Sequence, residues 1–447
     1  MTPTELDEQR QQWVAAATAT VDVDLLRDTA VELASIPSPP GQEAELTRHL
    51  VARAGRAGIA ADYQPLDEAS GNALLRIPSA GDGPSLLLYA PIDTHTTGQP
   101  DHDCPQVAEA LRPDMLPSAR VEGDFVLGLG ANNPKGHAAC IVAAIEAIRR
   151  AEIPLAGDLL AGFGAGGMPT NPPAGQAGRR NIGHGVGASY LIEQGGLADY
   201  AVIAKTGWSV SWEEVGLAWV RVRVRGRHNY VGIRHFTPYQ NPIVAAARVI
   251  EALEEWFPHY SQRHTSGLVA PQAGIGAIEG GWPHSPAFNP AVCDLYLDVR
   301  LSPRTTPLAA LREVRTALAD VAAAGDLDIS CDLVTAVPGT STDPDSWVVR
   351  SAIRAWEAVA EQPHQARAGT SGATDANILR ARGIPTARIG MPPVPDHAPV
   401  PADFSRGMNV VHVPDMLRLT EALIHIVIDT CTRTRAETAP VGAGAAT

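Results

Sequence analysis

Residues 85–93 read SLLLYAPID, an unbroken apolar run that closes on one aspartate. A strand with one wet face alternates apolar and polar residues. This run does not, so it is expected inside a sheet covered on both faces. DLLAGFGAG (158–166) and YAVIAK (200–205) read the same way. Between the first two lies NPKGHAACIVAAIEAIRR (133–150), an apolar helix that begins just after a glycine-rich turn. Upstream, residues 21–60 read as two helices separated by SIPSPPGQEAE, with Leu25, Leu26, Ala30 and Leu33, then Leu46, Leu50, Val51 and Ala54, at helical spacing. Strands alternating with helices predict an α/β sheet with its site at the carboxyl edge.

The pattern changes near residue 216. LAWVRVRVRG (217–226) and AVCDLYLDVRLSP (291–303) alternate, and DISCDLVTAV (328–337) closes the set. The helices NPIVAAARVIEALEEW (241–256) and LAALREVRTALADVAAA (308–324) lie between them. One-sided sheet plus helices predicts an α+β unit inserted in the larger domain, because buried α/β pattern resumes with a helix at 346–360. The expected division is 1–215 for the first part of the α/β domain, 216–338 for the insertion and 339–431 for the second part. A disordered tail is expected over 432–447. The glycine- and proline-rich stretch 168–187 reads as a loop, either a lid or a long surface connection.

Composition narrows the function. A net charge of −14 and the absence of a basic run argue against a nucleic-acid surface. No apolar stretch approaches the ~20 residues needed to span a bilayer. The five cysteines are odd in number and none is spaced as CxxC, which reads as reduced thiols and a cytoplasmic setting. The polar start MTPTELDEQRQQW does not read as a signal peptide. Only Lys135 and Lys205 are lysines among 35 basic residues.

Several short stretches carry chemistry. They are Ala90-Pro91-Ile92-Asp93-Thr94, Gly128-Leu129-Gly130-Ala131-Asn132-Asn133-Pro134-Lys135-Gly136, Gly164-Ala165-Gly166-Gly167-Met168, and Ala198-Asp199 leading through YAVIA to Lys205. In order, over roughly residues 22–430, they resemble motifs of the zinc aminoacylase and carboxypeptidase family. That family includes succinyl-diaminopimelate desuccinylase, acetylornithine deacetylase and glutamate carboxypeptidase. The resemblance implies a zinc-exopeptidase-like three-layer α/β/α catalytic domain with an inserted α+β dimerisation (lid) domain, and a homodimer.

The resemblance also implies a two-zinc site, and this chain departs from it. The family's ligand histidine falls on Pro91, although the aspartate that orients it matches Asp93. The bridging aspartate falls on Asn133, while Lys135 matches. The paired glutamates, general base and ligand, fall on Gly166 and Gly167, and a further ligand carboxylate falls on Lys205. The last ligand falls on Ser405, or on His397 in Asp-His-Ala-Pro. A single histidine cannot hold zinc, which takes three or four protein ligands. Clustered carboxylates without metals repel, so losing them together with gain of Lys205 is what adaptation to a metal-free site requires. No cofactor is therefore expected; the alternative is a rebuilt metal site from Asp93, His95 and His137.

The family's lid histidine falls on Tyr230, with His228 beside it. A tyrosine can donate to an oxyanion; an ordinary polar surface loop is the other reading. Asp298 and Arg300 match a family pattern that reads as structural. Gly369-Thr370-Ser371-Gly372-Ala373-Thr374-Asp375 matches a turn that contacts the substrate carboxylate, so Ser371, Gly372 and Thr374 are substrate candidates with Asn133, Lys135 and His228. Amides at a helix start bind anions; the other reading is that Thr374 or Asp375 only caps the helix.

Two functions follow. One is a metal-independent enzyme acting on a C–N, amide-type bond of a small carboxylated compound. In it Lys205 supplies charge or acts as nucleophile, and Asp93 and Tyr230 serve as acid–base groups. The other is a non-catalytic homologue that binds a small ligand or a partner protein.

Overall fold

The computed structural model describes residues 6–171 and 182–439. It divides into two compact units. The first contains Met1–Trp212, Thr342–Ala366 and Thr374–Thr447; the second contains Glu213–Ser341 and Arg367–Ala373.

The first unit is built on a six-stranded sheet. Its strands run Ala60–Pro65, Gly71–Ile77, Leu159–Gly164, Leu86–Pro91, Tyr200–Ala204 and Thr386–Ile389 in spatial order. The last four are mutually parallel, and the first two are antiparallel to their neighbours. Alternate residues of the central strands enter two different cores. Leu86, Leu88 and Ala90 meet the helices Val23–Ser35, Lys135–Arg150 and Val413–Cys431. Leu87 and Tyr89 meet Ala188, Leu191, Ala376 and Leu379 on the other face. This is why those strands carry no polar alternation, and it gives the three-layer α/β/α arrangement expected.

The stretch 168–187 is partly outside the described residues, which omit 172–181. Its end departs from the loop reading, because a short helix, Val186–Leu191, starts there. The tail beyond Thr432 also departs from expectation as far as it is described. Arg433 is fully buried against Asp429 at 2.8 Å, and Thr434 and Glu437 form a reciprocal cap on the helix Arg435–Thr438. A buried charge pair fixes a segment that composition alone reads as free. Residues 440–447 lie outside the described residues.

The second unit is a four-stranded antiparallel sheet in the order Ala273–Glu279, Val292–Leu301, Gly216–Arg225, Asp328–Val337. The helices Pro242–His264 and Pro307–Gly325 cover one face. Val220, Val222 and Val224 point into that core with Leu295, Leu297, Val249 and Val314. Arg221, Arg223 and Arg225 alternate with them and pair directly across the sheet with Asp332, Asp294 and Asp328 at 2.9, 2.6 and 3.2 Å. Such pairs contribute only about 0.2–1 kcal/mol each, so the valines hold this unit together and the arginines fix register. No helix among the described residues is long and apolar enough to cross a membrane.

Candidate active site

Parallel strands deliver their carboxyl ends to one edge of the first unit's sheet. Pro91 pairs with Gly164, Tyr89 with Ile203, and Ala204 with Ile389. The residues that follow, Asp93, Gly166–Met168 and Lys205, are therefore neighbours by topology.

Asp93 is fully buried. One of its oxygens accepts the Gly167 amide at 2.8 Å and the other the Met168 amide at 2.7 Å. Glu43, also fully buried, accepts the Gly166 amide at 3.0 Å, the Gly41 amide at 2.9 Å and the Ser70 hydroxyl at 2.7 Å. Two carboxylates thus anchor three consecutive amides. Gly166 has a left-handed φ of 61°, which a residue with a Cβ adopts only with strain. A Cβ on Gly167 would stand 2.5 Å from the Pro91 Cβ. Burial and the Asp93 charge push the Glu43 carboxyl up to about 7. Burial raises Asp93 as well, against the Met168 amide, the Lys205 charge and the Gly167 amide, which pull it down.

Lys205 is 8 % exposed, and its amide donates to the Ile389 carbonyl at 3.0 Å. Its charge acts on both Asp93 and His137. His137 is fully buried, with Nδ1 2.8 Å from the Asn132 carbonyl. Burial drives its pKa down to about 3, so the ring is neutral at pH 7. The Asn132 contact makes Nδ1 the protonated nitrogen and leaves Nε2 a bare acceptor, which has no partner among the described residues. The Oδ1 of Asn133 is likewise buried without a partner, while its Nδ2 approaches the Met408 sulfur at 3.3 Å. Met408 also accepts the Asn132 and Asn133 amides, each at 3.0 Å, which ties this loop to the short helix Phe404–Asn409.

Other candidates lie elsewhere or are engaged. Lys135 is fully buried and donates to the Ile36 carbonyl at 2.6 Å; burial takes its pKa down to about 7. Thr374 accepts the Ala376 amide at 3.2 Å, and Asp375 accepts the Tyr89 hydroxyl at 2.7 Å. The helix they precede, Ala376–Ala381, is six residues long. Ser371 and Gly372 belong to the second unit, where Ser371 accepts the Gln272 amide at 3.0 Å. Tyr230 and His228 are in that unit too, exposed, with both rings against Phe288 at 5.2 and 5.6 Å. His95 meets Phe404 edge-on at 5.6 Å. Ser405 is buried; His397 is exposed and lies against Phe125 at 5.2 Å. Asp298 and Arg300 pair at 2.8 Å.

Glu43 was not legible as a site residue. Its sequence context, GQEAEL, reads as acid at a helix start, and nothing local signals that Gly166 lies against it. The same holds for Tyr89, an ordinary member of an apolar strand that reaches Asp375.

The same fold occurs in proteins of known structure. Residues 213–326 match the model described as the peptidase dimerisation domain. The aminopeptidase PepT from Bacillus cereus is similar at 18% identity, TM-score 0.63, over 92% of this chain and 99% of that one. Human carnosine dipeptidase 1 is similar at 17% identity, TM-score 0.65, over 96% and 100%. The YXEP protein of Bacillus subtilis, a dinuclear metal-binding peptidase, gives 15% identity, TM-score 0.57, over 91% and 99%. The fold is that of a peptidase catalytic domain carrying an inserted dimerisation domain.

At the positions that the resemblance gives to metal ligands stand Pro91, Asn133, Gly166, Gly167 and Lys205. Among the described residues no group of three His, Cys, Asp or Glu is placed to hold a metal ion. Asp93 and Glu43 are engaged by amides and a hydroxyl, Asp375 accepts the Tyr89 hydroxyl, and Pro91, Asn133, Gly167 and Lys205 offer no anionic donor.

Proposed function

We propose that this protein acts on the C–N, amide-type bond of a small carboxylated compound, without a bound metal and as a homodimer formed through the second unit. The observation that carries this reading is Lys205, a cation at a strand's carboxyl end whose charge acts on buried Asp93 and His137. An ammonium held in a low-dielectric cleft stabilises an oxyanion developing on an amide carbonyl. Asp93 and Glu43 hold the Gly166–Met168 backbone beside it. The Nε2 of His137, unpartnered among the described residues, offers an acceptor for a donor group of the substrate. The peptidase and amidase character of the similar structures, among them a hydantoinase/carbamoylase family amidase from Burkholderia ambifaria, supports the bond class.

A second reading is a non-catalytic homologue that binds a small ligand. It is favoured by Asp93, whose two oxygens are both engaged by amides. One experiment separates the two. Protein purified without a histidine tag is incubated with dipeptides, N-acyl amino acids and N-carbamoyl amino acids in the presence of chelator, and products are read by mass spectrometry. Turnover lost in Lys205→Met supports the enzyme. Turnover only after zinc is added refutes metal independence. A co-purifying ligand released unchanged supports the second reading.

A further inference from the structure

Three arginines without carboxylate partners line one cavity of the second unit. The cavity is a half-open depression of about 390 Å³, within the size range of small-molecule sites. Arg225, Arg227, Arg234 and Arg248 line it, against two carboxylates, Asp326 and Asp328. Arg225 pairs with Asp328 at 3.2 Å. Arg227, Arg234 and Arg248 make no ion pair among the described residues. This excess of positive charge stands on a chain whose net charge is −14.

The local structure presents these side chains together. Strand alternation puts Arg225 on the wet face, at the end of Gly216–Arg225. Gly226 follows, packed so closely that a Cβ would stand 2.4 Å from the Gln240 carbonyl. The Arg227 amide donates to the same carbonyl at 2.8 Å, which fixes the turn. The Arg234 guanidinium lies over the Tyr239 ring, 4.2 Å from its centre. Asn241, Val244, Ala245 and Arg248 line the cavity at the spacing of one helix face. Asn241 caps the helix Pro242–His264 through the Ile243 amide at 3.0 Å, so the positive end of a long helix opens here as well. Like charges around one space repel, and a guanidinium fork matches carboxylate or phosphate oxygens in pairs.

We propose that this cavity is a binding site for a small polyanion bearing two or more carboxylate or phosphate groups. Full-length protein is titrated calorimetrically with citrate and, separately, with pyrophosphate, at constant ionic strength set by chloride. The two arms distinguish carboxylate from phosphate as the source. Saturable binding of at least one, near one per chain, is expected. The Arg227→Gln/Arg248→Gln double variant should weaken it about tenfold, with unfolding temperature and light-scattering mass unchanged. If that variant proves unstable, Arg234→Gln alone carries the test with the same expectation. No saturable binding of either anion overturns the proposal. So does binding that the variants leave unchanged, or variants that dissociate a dimer while neither anion binds wild type.

Discussion

Glu43 and Asp93 hold adjacent amides of one loop: Glu43 takes Gly166, and Asp93 takes Gly167 and Met168. Both are fully buried and close enough for the Asp93 charge to raise the Glu43 carboxyl. Carboxylate repulsion at this edge is thus offset by backbone dipoles and the Lys205 charge.

Replacing Glu43 tests that arrangement. Its folded pKa of about 7 lies above its ordinary value of 4.5. The folded state therefore binds a proton that the unfolded state has released between these values. The stability this group contributes is full below about 4.5 and is lost as pH rises through about 7. Glutamine keeps an acceptor for the Gly41 and Gly166 amides and donates to Ser70. Glu43→Gln should match wild type near pH 5 and exceed it at pH 8 by on the order of 1–3 kcal/mol. Thermal unfolding at the two pH values measures this. A difference that does not change with pH would remove Glu43 as a titrating group.

Lys205→Met should reduce turnover by about 100-fold or more, the usual loss of one oxyanion donor. Lys205→Arg keeps the charge but not the amine. Partial activity in the arginine variant assigns an electrostatic role; complete loss in both assigns nucleophilic chemistry. Wild-type rates in Lys205→Met would remove the residue from the site.

Gly167→Ala places a Cβ 2.5 Å from the Pro91 Cβ and 2.9 Å from Asp375 Oδ2. Overpacking of this kind costs about 1–3 kcal/mol. Urea denaturation should show that loss, together with reduced activity from a displaced loop. An unchanged midpoint would mean that the loop is already free to move.

Elemental analysis of untagged protein should give well under one zinc per chain, and prolonged chelation should leave the unfolding temperature unchanged. Tightly held zinc near two per chain would show that the ligand set lies outside the residues assigned to it.

Exposed apolar side chains follow one another along one short segment of the second unit: Val231, Ile233 and, at 78 % exposure, Phe236. Contiguous exposure of this kind marks an interaction surface. Phe236→Asp should shift the light-scattering mass toward monomer if this surface forms the homodimer. An unaltered dimer would place the contact elsewhere.

The strands that decide the fold were legible because burial leaves its mark locally. SLLLYAPID is apolar on both faces since two helical layers cover it, and RVRVR alternates since one face is wet. Positions at the sheet's carboxyl edge were legible only where a strand's end carries them, at Asp93 and Lys205. Partnership across the fold leaves no such mark. Nothing near Lys135 signals the Ile36 carbonyl, and nothing near His137 signals that its Nε2 is left bare.

Lysine scarcity has a practical consequence. Lys135 is fully buried and hydrogen-bonded, and Lys205 is 8 % exposed. An acylating reagent aimed at amines therefore meets, in the folded chain, almost no accessible lysine side chain. Each side-chain modification must wait for a local opening, and its rate reads the population of that opened form. Acylation at Lys205 that slows when a compound is added would identify a ligand without an assay for the reaction, and the unmodified protein would serve as its own reporter.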